Sequence, residues 1–228
     1  MPRQLAFDLP VRPALGRGDF FVSPANALAL AALDDSARWP LGRLVLTGPA
    51  GSGKSHLARV WAAAVGAEVL DAAALPGRGP ETLPAGGGVA VEDADRIAGD
   101  PAAETALFHL VNLMQAAGGR LLITGARPPS VWGVALPDLA SRLEAGGRAA
   151  VEPPDDALLA AVLVKLFADR QVRVPPALIP WLVARMERSF EAARDLVARL
   201  DARALAEGRP IGQRLAAELL DSAGDPAP

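Results

Sequence analysis

The 228-residue sequence contains no cysteine and has only two histidines, His56 and His109. The absence of cysteine excludes a disulfide framework and a thiolate metal site. Two histidines are too few for a histidine-rich metal cluster. No apolar stretch is long enough to span a bilayer, and the N-terminus lacks the basic-then-apolar layout of a signal peptide. We therefore expect a soluble, cytoplasmic protein without a membrane partner.

The chain also lacks a strong net charge of either sign, because it has 23 Lys and Arg residues and 26 Asp and Glu residues, which gives a net charge of -3. This balance disfavours a chain that coats nucleic acid through bulk charge. Aromatic residues make up only 4% of the chain, whereas hydrophobic residues make up 51%. The composition favours helices packed closely on small side chains around a real core.

Two hydrophobic patterns divide the chain. Up to residue 152, short apolar runs typical of buried strands alternate with helical segments, which predicts a parallel α/β domain. The predicted strands cover 43–47, 68–70, 89–91, 120–124 and 149–151, and the predicted helices cover 23–37, 54–65, 101–117 and 136–145. Beyond Pro153-Pro154 only helical periodicity remains, in segments 155–170, 176–187, 190–207 and 210–221. We expect a flexible tail at 1–19, an α/β domain at 20–152 and a small all-α domain at 153–228.

One glycine-rich segment matches the phosphate-loop pattern G-x-x-x-x-G-K-[ST] in full, and it lies between a predicted strand and a predicted helix, as the motif requires. The segment and its next residue are Gly48, Pro49, Ala50, Gly51, Ser52, Gly53, Lys54, Ser55 and His56. We predict that its main-chain amides surround a β-phosphate and that Lys54 reaches the β- and γ-phosphates. Ser55 would place its hydroxyl on Mg²⁺. A glycine turn with an exposed lysine is the alternative interpretation.

A pair of carboxylates follows the predicted strand at 89–91. The run Val89-Ala90-Val91-Glu92-Asp93 has the form of a Walker B motif. One carboxylate, assigned here to Glu92, would hold Mg²⁺ through water, and Asp93 would orient the attacking water. Because Glu stands first where Asp is usual, we expect weak hydrolysis. An ordinary acidic turn would give the same residues.

Two later stretches carry a family resemblance. Residues 120–129 (RLLITGARPP) and 136–143 (LPDLASRL) closely resemble the AAA+ module of the replication initiator DnaA. Within that group the chain is most similar to the Hda/HdaA family of regulatory inactivators of DnaA. The resemblance extends over nearly the whole chain. It implies a P-loop AAA+ domain, with a parallel sheet and helices on both faces, followed by a helical lid. It also implies that the protein binds ADP or ATP.

The resemblance also implies roles for single residues. Arg142 would be an arginine finger that acts on ATP held by DnaA, with a surface salt bridge as the alternative. Thr124 would be the polar group at the sensor-1 strand end. Glu191 stands where DnaA has its sensor-2 arginine, so Arg188 or Arg194, one turn either side, would reach the phosphates, with Arg188 favoured. These departures imply nucleotide binding with weak or no ATPase activity of the protein alone.

The N-terminal segment supports the same resemblance. Gln4, Leu5, Phe7 and Leu9 are similar to the motif by which bacterial proteins dock on the sliding clamp, the DNA polymerase III beta subunit. Gln4 would hydrogen-bond at one end of a groove and the apolar residues would fill a pocket. Chance hydrophobic residues in a tail are the alternative.

The resemblance implies that the partners are DnaA and the clamp. A homodimer is allowed, because AAA+ modules commonly self-associate. No basic helix-turn-helix module follows the lid helices in this sequence, so we expect no sequence-specific DNA binding.

The expected function is negative regulation of replication initiation. A helicase loader similar to DnaC is the first alternative, and it predicts substantial ATP turnover or binding of single-stranded DNA. The tail motif and the order Glu92-Asp93 argue against it. A small-molecule kinase is the second alternative, and it would need acceptor-binding residues in a lid, which the C-terminal helices do not offer.

Overall fold

The computed structural model describes residues 21–78 and 87–221. The strands in these ranges are β1 (Arg43–Thr47), β2 (Glu68–Asp71), β3 (Gly88–Glu92), β4 (Arg120–Gly125) and β5 (Gly147–Ala150). The α-helices are α1 (Ala27–Asp34), α2 (Lys54–Val65), α3 (Pro101–Ala116), α4 (Pro137–Glu144), α5 (Asp156–Asp169), α6 (Leu178–Val183), α7 (Phe190–Glu207) and α8 (Gln213–Asp221). Short 3-10 turns lie at Ser36–Arg38, Pro40–Gly42, Ala72–Gly77, Ala94–Ile97 and Pro129–Val131.

The five strands form one parallel sheet in the order β2-β3-β4-β1-β5. Strand β1 lies between β4 and β5, and Leu44, Val45 and Leu46 along it are buried. A strand buried on both faces needs a continuous apolar run, which is why the sequence of β1 does not alternate. Because all strands run the same way, their carboxyl ends share one edge of the sheet, here called the carboxyl edge. The opposite edge is called the amino edge.

Helices cover both faces of the sheet. Alternate residues of β1 point to opposite faces, so Val45 packs in one apolar cluster with α3 and α4, and Leu44 and Leu46 pack in another with α1 and α2. These layers confirm the predicted α/β fold class. A third apolar cluster joins α5 to α8 around residues such as Phe167 and Leu200.

Local signals in the sequence account for the helix ends. Asp100 accepts hydrogen bonds from the N–H groups of Ala102 and Ala103 and caps α3, which begins at Pro101 as predicted. Gly66, with φ +68°, ends α2 in the left-handed conformation that glycine adopts freely.

Some predicted boundaries were wrong. Helix α1 begins at Ala27 rather than at residue 23, because the Ser23 N–H donates to Asn26 Oδ1 and the Asn26 N–H donates to the Ser23 carbonyl in a turn. Strand β5 begins at Gly147, two residues before the predicted strand at 149–151. Helix α6 covers 178–183 and not 176–187.

Glu104 connects α3 through hydrogen bonds to the segment that leads into α4. Its side chain is buried, and its carboxylate accepts the N–H groups of Gly99, Ala135 and Leu136 at 2.8, 3.0 and 2.8 Å. Burial raises the pKa of Glu104, but these three hydrogen bonds outweigh that effect and hold the pKa below its ordinary value. Leu136 is the residue before the first turn of α4, so Glu104 fixes where this helix begins.

Candidate nucleotide site

The glycine-rich segment joins the carboxyl end of β1 to the first turn of α2, as predicted. Gly51 and Gly53 have φ values of +70° and +97°, which favour glycine. A Cβ on Gly51 would lie 2.5 Å from the Ser189 Cβ, and one on Gly53 would lie 2.8 Å from the Phe190 ring. Both glycines are therefore required by backbone conformation and by close contact with α7.

Lys54 lies inside the loop at the first position of α2. Its ammonium donates to the carbonyl oxygens of Gly48 and Pro49 at 2.6 and 2.8 Å. Burial lowers the pKa of Lys54 from its ordinary value of 10.5, and the carboxylates of Asp93 and Asp95 oppose that effect. A cation held by neutral carbonyls at a helix N-terminus can exchange them for phosphate oxygens, which carry full negative charge.

Two buried oxygens at this edge have no hydrogen-bond partner within residues 21–78 and 87–221: Ser52 Oγ and Glu92 Oε1. A buried polar atom without a partner costs about 1–3 kcal/mol. Ser52 is in the loop and Glu92 ends β3. The residues present therefore fit a ligand that brings donors and acceptors to this edge, such as a hydrated Mg²⁺-nucleotide.

The ends of β3 and β4 are tied together next to the loop. Asp93 has φ +56°, and its N–H donates to Thr124 Oγ1 at 3.0 Å. Its carboxylate accepts from Arg96 at 3.3 Å. Asp95 accepts the N–H of Ala126 at 2.9 Å. The structure thus brings Asp93 and Thr124 together, and it adds Asp95, which the sequence motif did not single out.

The N-terminus of α7 contacts the loop directly. Ser189 caps the helix by accepting the N–H of Ala192 at 3.0 Å, and the Phe190 N–H donates to the Gly51 carbonyl at 2.9 Å. Sequence reasoning missed both residues. The contact with Gly51 arises from tertiary packing, which the helical periodicity of 190–207 does not record.

The two sensor-2 candidates lie in different surroundings. Arg188 precedes the cap of α7, so it does not share a helical face with Glu191, and it pairs with Asp156 at 2.8 Å. Arg194 lies within α7, close enough for its charge to act on His56. Burial lowers the pKa of His56, and the charge of Arg194 lowers it further. The charge of Arg194 thus acts on a loop residue, whereas Arg188 directly precedes Ser189, whose side chain contacts Gly51.

Arg142 lies at the amino edge of the sheet. Its guanidinium carbon lies over the Phe108 ring, 5.3 Å from the centroid, and the guanidinium donates to Gln115 at 3.3 Å, near the C-terminus of α3. Its charge also acts on Arg43, the first residue of β1. The loop begins after Thr47, at the other end of β1, about 13 Å away at the usual rise per residue. Arg142 is thus separated from the loop of its own chain by the length of the sheet.

Several predicted features lie outside the described residues. These are the clamp-binding residues Gln4, Leu5, Phe7 and Leu9, residues 79–86 between β2 and β3, and the last residues after 221. Within residues 21–78 and 87–221, no three His, Asp or Glu side chains are grouped to hold a metal by themselves. No helix in the described part of the chain is long and apolar enough to cross a membrane.

Comparison with known proteins agrees with the fold. Over 134 residues the chain is 29% identical to the chromosomal replication initiator protein DnaA of Thermomicrobium roseum. This alignment covers 57% of this chain and 28% of that protein. The chain thus spans less than a third of this relative. Domain III of DnaA from Thermotoga maritima gives a TM-score of 0.81 at 20% identity, over 96% of this chain and 100% of that one. AMPPCP-bound DnaA from Aquifex aeolicus gives 0.67 at 15% identity, over 81% and 64%.

The fold and the loop together define a P-loop protein of the AAA+ fold class. No protein-family model matches the chain. The protein is similar in sequence to the replication initiator DnaA and in fold to domain III of DnaA.

Proposed function

We propose that this protein is a nucleotide-bound AAA+ regulator that switches off the replication initiator DnaA. It binds ADP or ATP at the loop of residues 48–56, docks on the DNA-loaded sliding clamp and supplies Arg142 to ATP bound by DnaA. The observation that carries the proposal is the position of Arg142 at the amino edge, away from the carboxyl edge where the loop of the same chain lies.

Nucleotide binding rests on the loop and its surroundings. The amides of the loop and the N-terminus of α2 would hold the β-phosphate, and Lys54 would leave the carbonyls of Gly48 and Pro49 for phosphate oxygens. The bound AMPPCP of a structurally similar DnaA supports an adenine nucleotide here. Mg²⁺ would supply charge neutralisation between the phosphates, held by Ser55 and, through water, by Glu92.

Weak hydrolysis by the protein itself follows from the same site. Asp93 would orient an attacking water from its place beside Thr124. Glu191 stands at the position where DnaA has its sensor-2 arginine, and Arg188 pairs with Asp156. Arg188 and Arg194 are both candidates for contact with the phosphates, since Arg188 directly precedes Ser189, which contacts Gly51, and the charge of Arg194 acts on His56. A site that binds tightly and turns over slowly suits a regulator.

Action on a partner rests on the guanidinium of Arg142. The guanidinium contacts the Phe108 ring and donates one N–H to Gln115, so its other N–H donors would be available for a phosphate. Delivered to ATP on another molecule, such a group stabilises charge in the transition state and raises the rate by ~10³–10⁵ in well-studied GTPases. The N-terminal motif of Gln4, Leu5, Phe7 and Leu9 would bind the DNA-loaded clamp and so concentrate the protein at the DNA.

The test compares two arginines at the same edge. DnaA preloaded with labelled ATP is mixed with clamp-loaded DNA and with wild-type protein, Arg142→Ala or Arg148→Ala, and single-turnover hydrolysis is followed. Arg148 is an exposed residue of β5 and serves as the matched control. We expect stimulation by wild type and by Arg148→Ala, and a loss of about a thousandfold or to background for Arg142→Ala.

Equal stimulation by Arg142→Ala and wild type would contradict the proposal. Rapid ATP turnover by the purified protein without DnaA would instead favour the helicase-loader alternative.

A further inference from the structure

Arg59 lies on α2, close to the residues that would hold Mg²⁺ at the nucleotide site. It follows Ser55 by four residues, which places the two side chains on one face of the helix, one turn apart. Its guanidinium lies 3.6 Å from Glu92 Oε2. The Glu92 carboxylate therefore has one oxygen facing a fixed positive charge, while its buried Oε1 has no hydrogen-bond partner in the described part of the chain.

The Arg59–Glu92 pair lies at the rim of the site. The side chain of Glu92 is 16% exposed, whereas that of Arg59 is 57% exposed. Glu92 also lies in register with Asp71 of β2, so this end of the sheet carries more than one carboxylate. The charge of Arg59 extends to His56 as well, whose pKa it helps to lower after burial and Arg194.

We propose that Arg59 neutralises Glu92 and thereby weakens Mg²⁺ binding at the nucleotide site. A cation entering beside Ser55 meets a carboxylate whose charge is already shared with a guanidinium. Arg59 is a positioning residue: it acts on the metal through Glu92 and touches neither nucleotide nor substrate. The proposal rests on the proposed nucleotide site and concerns its metal dependence.

One consequence is that nucleotide binding depends mainly on the loop amides and Lys54. These groups hold phosphates without a metal, so ADP should bind almost as well in EDTA as in Mg²⁺. A nucleotide retained without Mg²⁺ also fits a protein whose own hydrolysis is weak, because the metal is what neutralises charge between the β- and γ-phosphates during transfer.

The experiment measures the affinity of fluorescent N-methylanthraniloyl-ADP in EDTA and across a series of Mg²⁺ concentrations. For wild type we expect a small ratio between the Kd values without and with Mg²⁺. Removal of one nearby charge in Arg59→Gln should raise this ratio about tenfold. Arg59→Lys keeps the charge and should behave as wild type. Glu92→Gln combined with Arg59→Gln should bring the ratio back down.

Arg38→Gln is the matched control, since Arg38 also lies 3.6 Å from a carboxylate, that of Asp35, but beyond α1. It removes the same net charge and should leave the ratio unchanged. An unchanged ratio in Arg59→Gln, with ADP still bound, overturns the role of Arg59 and leaves the nucleotide site standing. Absence of ADP binding in every variant and buffer overturns the nucleotide site and this proposal together.

Discussion

At the scale of single residues, Arg43 stands out as a buried charge. Its side chain is 2% exposed, and its three guanidinium nitrogens have no hydrogen-bond partner among the described residues. Burial lowers the pKa of Arg43, and the nearby charge of Arg142 lowers it further. It lies close to Gly146, just past the C-terminus of α4, where the negative end of the helix dipole offsets part of the cost.

Replacing this guanidinium with an apolar chain of similar length should stabilise the fold. We expect Arg43→Met to raise the free energy of unfolding by about 1–3 kcal/mol, because a buried charge without partners is removed. Urea denaturation measures the change, with Arg38→Met, at an exposed position, as the control. A loss of stability in Arg43→Met larger than in Arg38→Met would show that the guanidinium makes stabilising contacts.

At the scale of elements, α4 is held by α3 at both ends. Glu104 accepts the Leu136 N–H before the first turn, and Phe108 and Gln115 contact Arg142 in the last turn. The residues Glu104, Phe108 and Gln115 are spaced by four and seven positions, which places them along one side of α3. The orientation of α4 is therefore set by contacts with α3.

Glu104→Gln should loosen this arrangement. An amide presents a donor where the carboxylate accepts three N–H groups, so we expect a loss of about 2–4 kcal/mol in the free energy of unfolding near neutral pH. The pKa of Glu104 is depressed in the fold, so its contribution is present above the ordinary pKa of 4.5 and disappears as the pH falls through the lower folded value. Denaturation at several pH values should show the difference between wild type and Glu104→Gln shrinking in acid. A constant difference would contradict the role of the carboxylate.

Much of this element structure follows from the sequence. Helix α2 begins at Lys54 and ends at Val65 as predicted, because the loop motif and Gly66 mark its two ends. Helix α3 was predicted to within a residue from its cap, and α7 was predicted with the same bounds from its helical periodicity. Boundaries failed where tertiary contacts decided them, as at β5, where pairing of Gly147 with Leu44 extends the strand.

The candidate site was likewise predictable in part. The loop and the acidic strand end are contiguous motifs, so residues 48–56, Glu92 and Asp93 could be found by reading the chain. The contacts of Ser189 and Phe190 with Gly51, and of Arg59 with Glu92, join distant segments. No local pattern records such contacts.

At the scale of the whole molecule, two chemical functions are placed at opposite edges of one sheet. The loop, Asp93 and the start of α7 meet at the carboxyl edge, whereas Arg142 and Arg43 meet at the amino edge. A parallel sheet enforces this separation, since β1 must end at the loop and α4 must return the chain to the start of β5. Under the proposed function, the protein would bind a nucleotide at one edge and offer a guanidinium to a partner at the other.

The central claim is that these two edges serve different nucleotides, and ADP affinity measured by calorimetry tests it most directly. We expect Lys54→Ala to weaken binding of ADP by about a hundredfold or more, because a buried charge-assisted contact is lost. Arg142→Ala should bind ADP with the affinity of wild type. If Arg142→Ala weakened ADP binding as much as Lys54→Ala, the guanidinium would belong to the nucleotide site of its own chain, and the account would be wrong.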